Sequence, residues 1–182
     1  PVYNGGSNPL LEIAPAASAP AVTDAGPYTF RLCPSDLAHG SALARWARER
    51  LGLTRGAVFY TNSEYGRGIR TAFEAEFASL DGAVVGSYPY LGDTPDVGPY
   101  VDLLSRDKRA QFMLIAGYDP DARTILTEAR KKNLASPYGD PVAAVIGDVE
   151  GSRDHADRPD LHVRLVGRLA ELTPPLELED QP

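Results

Sequence analysis

Residues 56–90 read GAVFYTNSEYGRGIRTAFEAEFASLDGAVVGSYPY. The first six, GAVFYT (56–61), form an apolar run of strand length, suited to a strand covered on both faces. After NSEYGRG (62–68) a helical stretch runs to about Leu80, with Ile69, Phe73 and Phe77 recurring on one face. Asp81-Gly82 reads as a turn. AVVGSYPY (83–90) reads as the next strand. Strand, amphipathic helix and strand make a parallel pair joined by a right-handed crossover.

The same grammar continues toward the C-terminus. GDTPDVGPYVDLLSR (92–106) is a loop running into a helix from about Val97. QFMLIA (111–116) is another apolar strand, GYDPD (117–121) a loop and ARTILTEARKK (122–132) an amphipathic helix. PVAAVIG (141–147) is a further strand. Toward the N-terminus, YTFRL (28–32) alternates as a strand. Pro34-Ser35-Asp36 opens a helix whose first N–H groups Ser35 or Asp36 can cap. Leu37, Ala44 and Leu51, with Leu43 and Trp46 between, mark its expected buried face, and Gly52 ends it. LLEIA (10–14) is a short strand stopped by Pro15. PAASAPAVTDAGP (15–27) is expected to be a loop. The pattern predicts an α/β fold: a three-layer parallel sheet with helices on both faces. In such sheets ligands bind beyond the carboxyl ends of the strands. Four loops stand there: 15–27, 61–66, 116–121 and 147–154.

A length of 182 residues fits about one domain. The charge balance is acidic, net −7, and the few Lys and Arg are interrupted by acids or apolar residues. That argues against nucleic acid and anionic membranes, which need clustered cations. The single Cys33 rules out an internal disulfide or a multi-cysteine metal centre, and is expected to be a buried structural thiol. No apolar run approaches the ~20 residues of a membrane span. The chain opens at Pro1 without Met, so any targeting segment is expected to lie outside it.

Familiar catalytic patterns are missing: no G-x-S-x-G, H-E-x-x-H or Walker A motif occurs. His39 and Ser41 are two apart on a helix and do not face each other, so His39 reads as a solvated histidine. Asp154, His155 and Asp157 read as a charged loop rather than a metal site. Asp121 reads as the cap of the helix at 122, and Asp93 and Asp96 as turn and cap residues. No catalytic or metal site, and no cofactor, is expected.

The loops carry a resemblance. APAASAPAVTDAGPYTFRLCPSD (14–36) resembles a segment of the type I periplasmic binding proteins, the leucine/isoleucine/valine-binding branch that serves ABC importers. That branch has a small-residue Ser-Pro-Ala loop, a Pro-Tyr-x-Phe-Arg strand and a helix-opening Pro-Ser-Asp. FYTNSEYGRGIRTAFEAEF (59–77) is similar to its Tyr-Gly-x-Gly segment, YLGDTPDVGPYVDLL (90–104) to its Gly-Asp-Thr segment, and FMLIAGYDPDARTILTEARKKNL (112–134) to its Gly-Tyr-x-Pro loop and helix. The four stretches fall in register over residues 10–150. PVAAVIGDVEG (141–151) reads as that family's next strand and Gly-Gly-Asp-Gly loop. A first-lobe strand placed out of order is the other reading.

The resemblance implies two α/β lobes closing on a ligand. This chain would carry the end of the first lobe and most of the second. Residues 1–150 would form the lobe, with 1–27 a remnant of the first lobe and hinge, and 151–182 an unassigned tail. The resemblance also implies a ligand carboxylate held by Ala16, Ala17 and Ser18, where small side chains let the backbone approach an anion. Tyr65 and Tyr118 follow neighbouring strands and would line one crevice, Tyr118 the stronger candidate, while Tyr65 packing on its own helix is the plainer reading. Asp148 would pair with an ammonium group or cap the next helix, with Glu150 the fallback. The function implied is that of an extracytoplasmic receptor, periplasmic or lipid-anchored, and not an enzyme. Its ligand would be an amino acid or similar small polar molecule, its partners the membrane subunits of an ABC importer, with self-association as a further possibility. The alternatives are an isolated sensor or dimerisation lobe and a small metal-dependent flavodoxin-like enzyme.

Overall fold

A computed structural model describes residues 4, 8–92, 96–106, 109–132, 134 and 143–147. Four parallel strands form the main sheet: β3 (Arg55–Thr61), β4 (Ala83–Tyr90), β5 (Phe112–Ala116) and β6 (Ala143–Gly147), in the order β4-β3-β5-β6. Two shorter strands, β1 (Glu12–Ala14) and β2 (Thr29–Arg31), make a separate parallel ribbon. Four α-helices alternate with them: α1 (Asp36–Arg45), α2 (Glu64–Ser79), α3 (Gly98–Arg106) and α4 (Asp119–Lys131). This is the three-layer α/β arrangement that the hydrophobic pattern predicts.

The central strands behave as fully covered strands must. Every residue of β5 is buried, as are Gly56 to Phe59 of β3. The chain steps from β3 to β4 in one direction and from β4 past β3 to β5 in the other. With right-handed crossovers, α2 then covers one face and α3 and α4 the other. Accordingly α1 packs on α2, and α3 on α4. β4 lies at the edge of the sheet, where Pro89 is tolerated opposite Tyr60 because its missing N–H faces away from the ladder. Val85 is an extra residue in that pairing. Beneath α2, Phe73, Phe77 and Phe112 form an aromatic cluster with ring centroids 5.1–6.1 Å apart. β6 pairs with β5, Phe112 against Ala143, which places AAVIG (143–147) in this sheet as its next strand.

Several local expectations shift. Ser35, rather than Asp36, caps α1, its Oγ accepting from the Ala38 N–H at 3.2 Å. The buried face of α1 is Asp36, Gly40 and Ala44, followed by Ala47, while Leu37 is exposed. A Cβ on Gly40 would lie 2.6 Å from the Ile69 carbonyl and 2.7 Å from the Ala72 Cβ. The two helix backbones therefore approach through small residues, leaving Leu37 outside and Leu43, Trp46 and Leu51 packed at the rim. The helix closes in a π-helical turn (Trp46–Arg50), and Gly52 follows at φ +64°. His39 is half-buried with its Nδ1 out of water and unpartnered, not solvated. Residues 15–27 contain a 3₁₀ turn (Pro20–Asp24), and Cys33 is a half-buried free thiol. α4 starts at Asp119 because Pro120 fits the first helical turn, where its missing N–H costs nothing.

Candidate functional site

Neighbouring parallel strands deliver their following helices side by side. β3 runs out through Asn62 and Ser63 into α2, whose N-cap is Ser63, its Oγ accepting from the Gly66 N–H at 3.2 Å. β5 runs out through Gly117 and Tyr118 into α4. This places Tyr65, half-buried, and Tyr118, 42% exposed, next to each other. Their rings stack with centroids 5.5 Å apart and planes at 22°. The two tyrosines that the sequence puts on separate loops thus make one aromatic surface at the carboxyl edge of the sheet.

A third tyrosine, which the sequence reading missed, supports this surface from below. Tyr90 ends β4 and is 5% exposed. Its hydroxyl reaches across to β5, where a Cβ on Gly117 would collide with the Tyr90 Oη. Only glycine leaves room for the phenol at that point. The hydroxyl is buried without a hydrogen-bond partner of normal geometry. Burial pushes its pKa far above the usual tyrosine value, and the neighbouring Asp121 carboxylate, then the phenols of Tyr65 and Tyr118, push the same way. Asp121 caps α4 from within its first turn, accepting from the Tyr118 N–H, rather than as the N-cap residue. Tyr118 is the N-cap, and buried Asp121 lies inside the first turn, its Oδ2 3.5 Å from the Tyr118 N–H. A carboxylate there suits the unpaired N–H groups of the helix start.

The small-residue loop is braced from beneath. Ala16 and Ala17 are exposed and Ser18 is buried. One guanidinium nitrogen of Arg31 on β2 donates to the carbonyls of Ser18 at 3.1 Å and Ala19 at 2.9 Å, and the other donates to the Thr23 hydroxyl. The Asp36 N–H donates to the Ser18 carbonyl at 3.0 Å. Ser18 is therefore tied to both β2 and α1. Asp36, the second polar residue that the sequence reading missed as more than a cap, is fully buried, and neither carboxylate oxygen has a hydrogen-bond partner of normal geometry, the Ser18 side chain standing nearby. Burial raises its pKa, while the Ser18, His39 and Arg31 side chains pull it back. It packs on α2, where a Cβ on Gly68 would lie 3.2 Å from its own Cβ. Through Asp36 the loop rests against the start of the helix that carries Tyr65. The one signal for such a role was the doubled polar pair Ser35-Asp36, of which a single member can cap.

A cavity of about 460 Å³ opens on the other side of β3, between Asn62, Tyr90, Leu91, Asp96 and Tyr100. None of Ala16, Ala17, Ser18, Tyr65 and Tyr118 lines it. Asp96 there accepts from the Gly98 N–H at 3.3 Å, the turn role expected of it. Among the described residues, no group of three His, Cys, Asp or Glu side chains is placed to hold a metal ion. No helix among them is long and apolar enough to cross a membrane. Asp93, Asp148, Glu150 and the Asp154, His155, Asp157 cluster lie outside the described residues.

Residues 1–148 match the family model described as "Periplasmic binding protein". The chain belongs to that family. No curated protein matches it. Solved structures share the fold. A leucine-binding protein from Thermotoga maritima has a TM-score of 0.63 and 26% identity over 69% of this chain and 36% of its own. An ABC transporter substrate-binding protein from Desulfitobacterium hafniense, solved in complex with Leu, gives a TM-score of 0.61 and 24% identity over 75% of this chain and 39% of its own. A solute-binding protein from Rhodopseudomonas palustris in complex with benzoate gives 0.63 and 18% over 74% and 36%. The chain thus spans between a third and two-fifths of the length of these periplasmic binding proteins.

Proposed function

We propose that this periplasmic binding protein chain forms the ligand-facing portion of an extracytoplasmic receptor. It would bind an amino acid or similar small carboxylate and deliver it to the membrane subunits of an ABC importer. The observation that carries this reading is the stacked Tyr65–Tyr118 surface at the strand ends, with a braced small-residue loop set against the same helix. Ala16, Ala17 and Ser18 would hold the ligand carboxylate, since small side chains leave the backbone open to an anion. Tyr65 and Tyr118 would cover its side chain, and a flat aromatic surface accepts aliphatic and aromatic groups alike. Asp148, just past β6 in the sequence, would pair with an ammonium group where the ligand has one. Leucine and benzoate, the ligands named for two structural relatives, share a carboxylate and an apolar body. Binding would close a second lobe over this edge. Residues 1–27 would belong to that other lobe and the hinge.

The test is affinity in variants. Ser18→Ala and Asp148→Asn are each expected to weaken amino-acid binding at least tenfold in a calorimetric titration. The loss corresponds to a charge-assisted hydrogen bond of ~1.5–3 kcal/mol. Unchanged affinity in both would remove the site assignment.

A further inference from the structure

If filling space were the only task, phenylalanine would end β4 better than Tyr90. The residue is 5% exposed, and its hydroxyl is taken out of water without a partner of normal geometry. The hydroxyl also reserves Gly117. A Cβ there would collide with the Tyr90 Oη, while standing 3.1 Å from the Tyr90 Cζ and 3.4 Å from the Asp121 Oδ2. A buried hydroxyl and a glycine held open for it at the exit of a central strand are not explained by core packing.

Tyr90 touches both supports of the aromatic surface. Its backbone meets the first. Tyr90 pairs with Thr61 at the end of β3, and its carbonyl accepts from the Asn62 N–H at 2.7 Å. Asn62 and the N-cap Ser63 lead directly into α2, whose first turn presses on the same point, since a Cβ on Gly66 would collide with the Thr61 carbonyl. Tyr65 lies in that turn. The hydroxyl meets the second support. It stands beside Gly117 and the Asp121 carboxylate, and Asp121 accepts from the Tyr118 N–H. One residue of the outer strand thus reaches both exits that carry the stacked rings.

We propose that Tyr90 is the positioning residue of the ligand surface. Its backbone sets the loop that leads to Tyr65, its hydroxyl sets the helix start that carries Tyr118, and together they hold the two rings in one stack. Removing the hydroxyl leaves a gap at Gly117 into which the β5 exit can relax, and takes a polar neighbour from Asp121. That the stack meets a ligand rests on the function proposed above. That Tyr90 holds the stack does not.

A double-mutant cycle reads the stack itself. Tyr65→Ala and Tyr118→Ala, singly and together, give the coupling between the rings from chemical denaturation. The parent is expected to show a coupling of about threefold or more in the unfolding equilibrium. The same cycle in a Tyr90→Phe background is expected to lose at least half of the coupling free energy. A residue that only filled the core would lower the stability of all four proteins alike and leave the coupling unchanged. Gly117→Ala gives a second route to the same end. Its methyl drives the hydroxyl aside, so the coupling should fall there too. Adding Tyr90→Phe to Gly117→Ala should restore most of the lost melting temperature, because the oxygen is what the methyl meets, without restoring the coupling. Titration with leucine and benzoate supplies the link to binding: whichever of them the parent binds should bind Tyr90→Phe about threefold more weakly or worse. An unchanged coupling in Tyr90→Phe would overturn the proposal, as would the absence of coupling in the parent. A coupling lost with affinity kept would overturn the role in binding. A parent that binds neither probe would count against the receptor function, while the cycle still decides whether Tyr90 holds the stack.

Discussion

Phe112 and Phe30 both sit on parallel strands of this periplasmic binding protein, in opposite surroundings. Phe112 opens β5, is fully buried, and meets Phe73 and Phe77 edge to face. Phe30 is the middle residue of β2 and more than half of it faces solvent. The strand propensity of the two segments is similar, and the difference lies in cover. β5 has neighbours on both edges and helices on both faces, supplied by the chain's own crossovers. Among the described residues, the ribbon has Asn4 and the 18–23 loop bonded to its polar face, and its other face is exposed. Parallel strands are thus buried where helices flank the sheet on both faces, as they do for β5.

Truncation should separate the two regions most strongly. Phe112→Ala is expected to cost about 3–5 kcal/mol, from lost burial and the cavity left beside Phe73 and Phe77. Phe30→Ala should cost under ~0.5 kcal/mol, as for other exposed positions. Equal losses at both positions would mean the ribbon is covered within the monomer.

A smaller effect is expected at Asp36, where the two regions meet. Its folded-state pKa is raised, chiefly by burial, so the folded form holds the proton more tightly than the unfolded chain. Stability is then lost as pH rises from the unfolded value of about 3.9 through the folded one, and the penalty persists above it. Asp36→Asn carries no such penalty. It should melt higher than the parent at pH 7, by less than Phe112→Ala melts lower, with the gap closing as the pH falls toward about 4. A variant that is less stable at neutral pH would show that the carboxylate is needed in its charged form, by a ligand group or a neighbouring cation.

The regular part of the fold was legible in the sequence because its signals are periodic. Ile69, Phe73 and Phe77 recur at helical spacing, and FMLIA is apolar throughout, so α2 and β5 could be placed by pattern alone. What escaped was set by contacts between distant segments. No periodicity reveals that Gly40 abuts Ile69 and Ala72, and this contact decides that Leu37 faces water. Nor does a local rule connect Tyr90 to Gly117, on different strands of the sheet, yet their approach fixes the ground under the tyrosine pair. The proposed site was legible through resemblance more than through chemistry: Ala16 and Ala17 carry no functional side-chain group, and the role proposed for residues 16–18 comes from the loop's likeness to the family. Tyr65 and Tyr118 were readable as neighbours because their strands were, and the stacked geometry bears out that adjacency. Arg31, which braces the loop, was hidden inside a strand pattern that gives no sign of its partners.

The proposed receptor function requires a carboxylate-binding edge beside the Tyr65–Tyr118 surface. A thermal-shift screen of the purified 182-residue chain tests it most directly, using the common amino acids and simple aromatic acids, with divalent metals as controls. The account predicts that a group of small carboxylates sharing an apolar body raises the melting temperature in proportion to the logarithm of concentration, and that the metals do not. A cooperatively melting chain that responds to none of these carboxylates, or to metals alone, would contradict it.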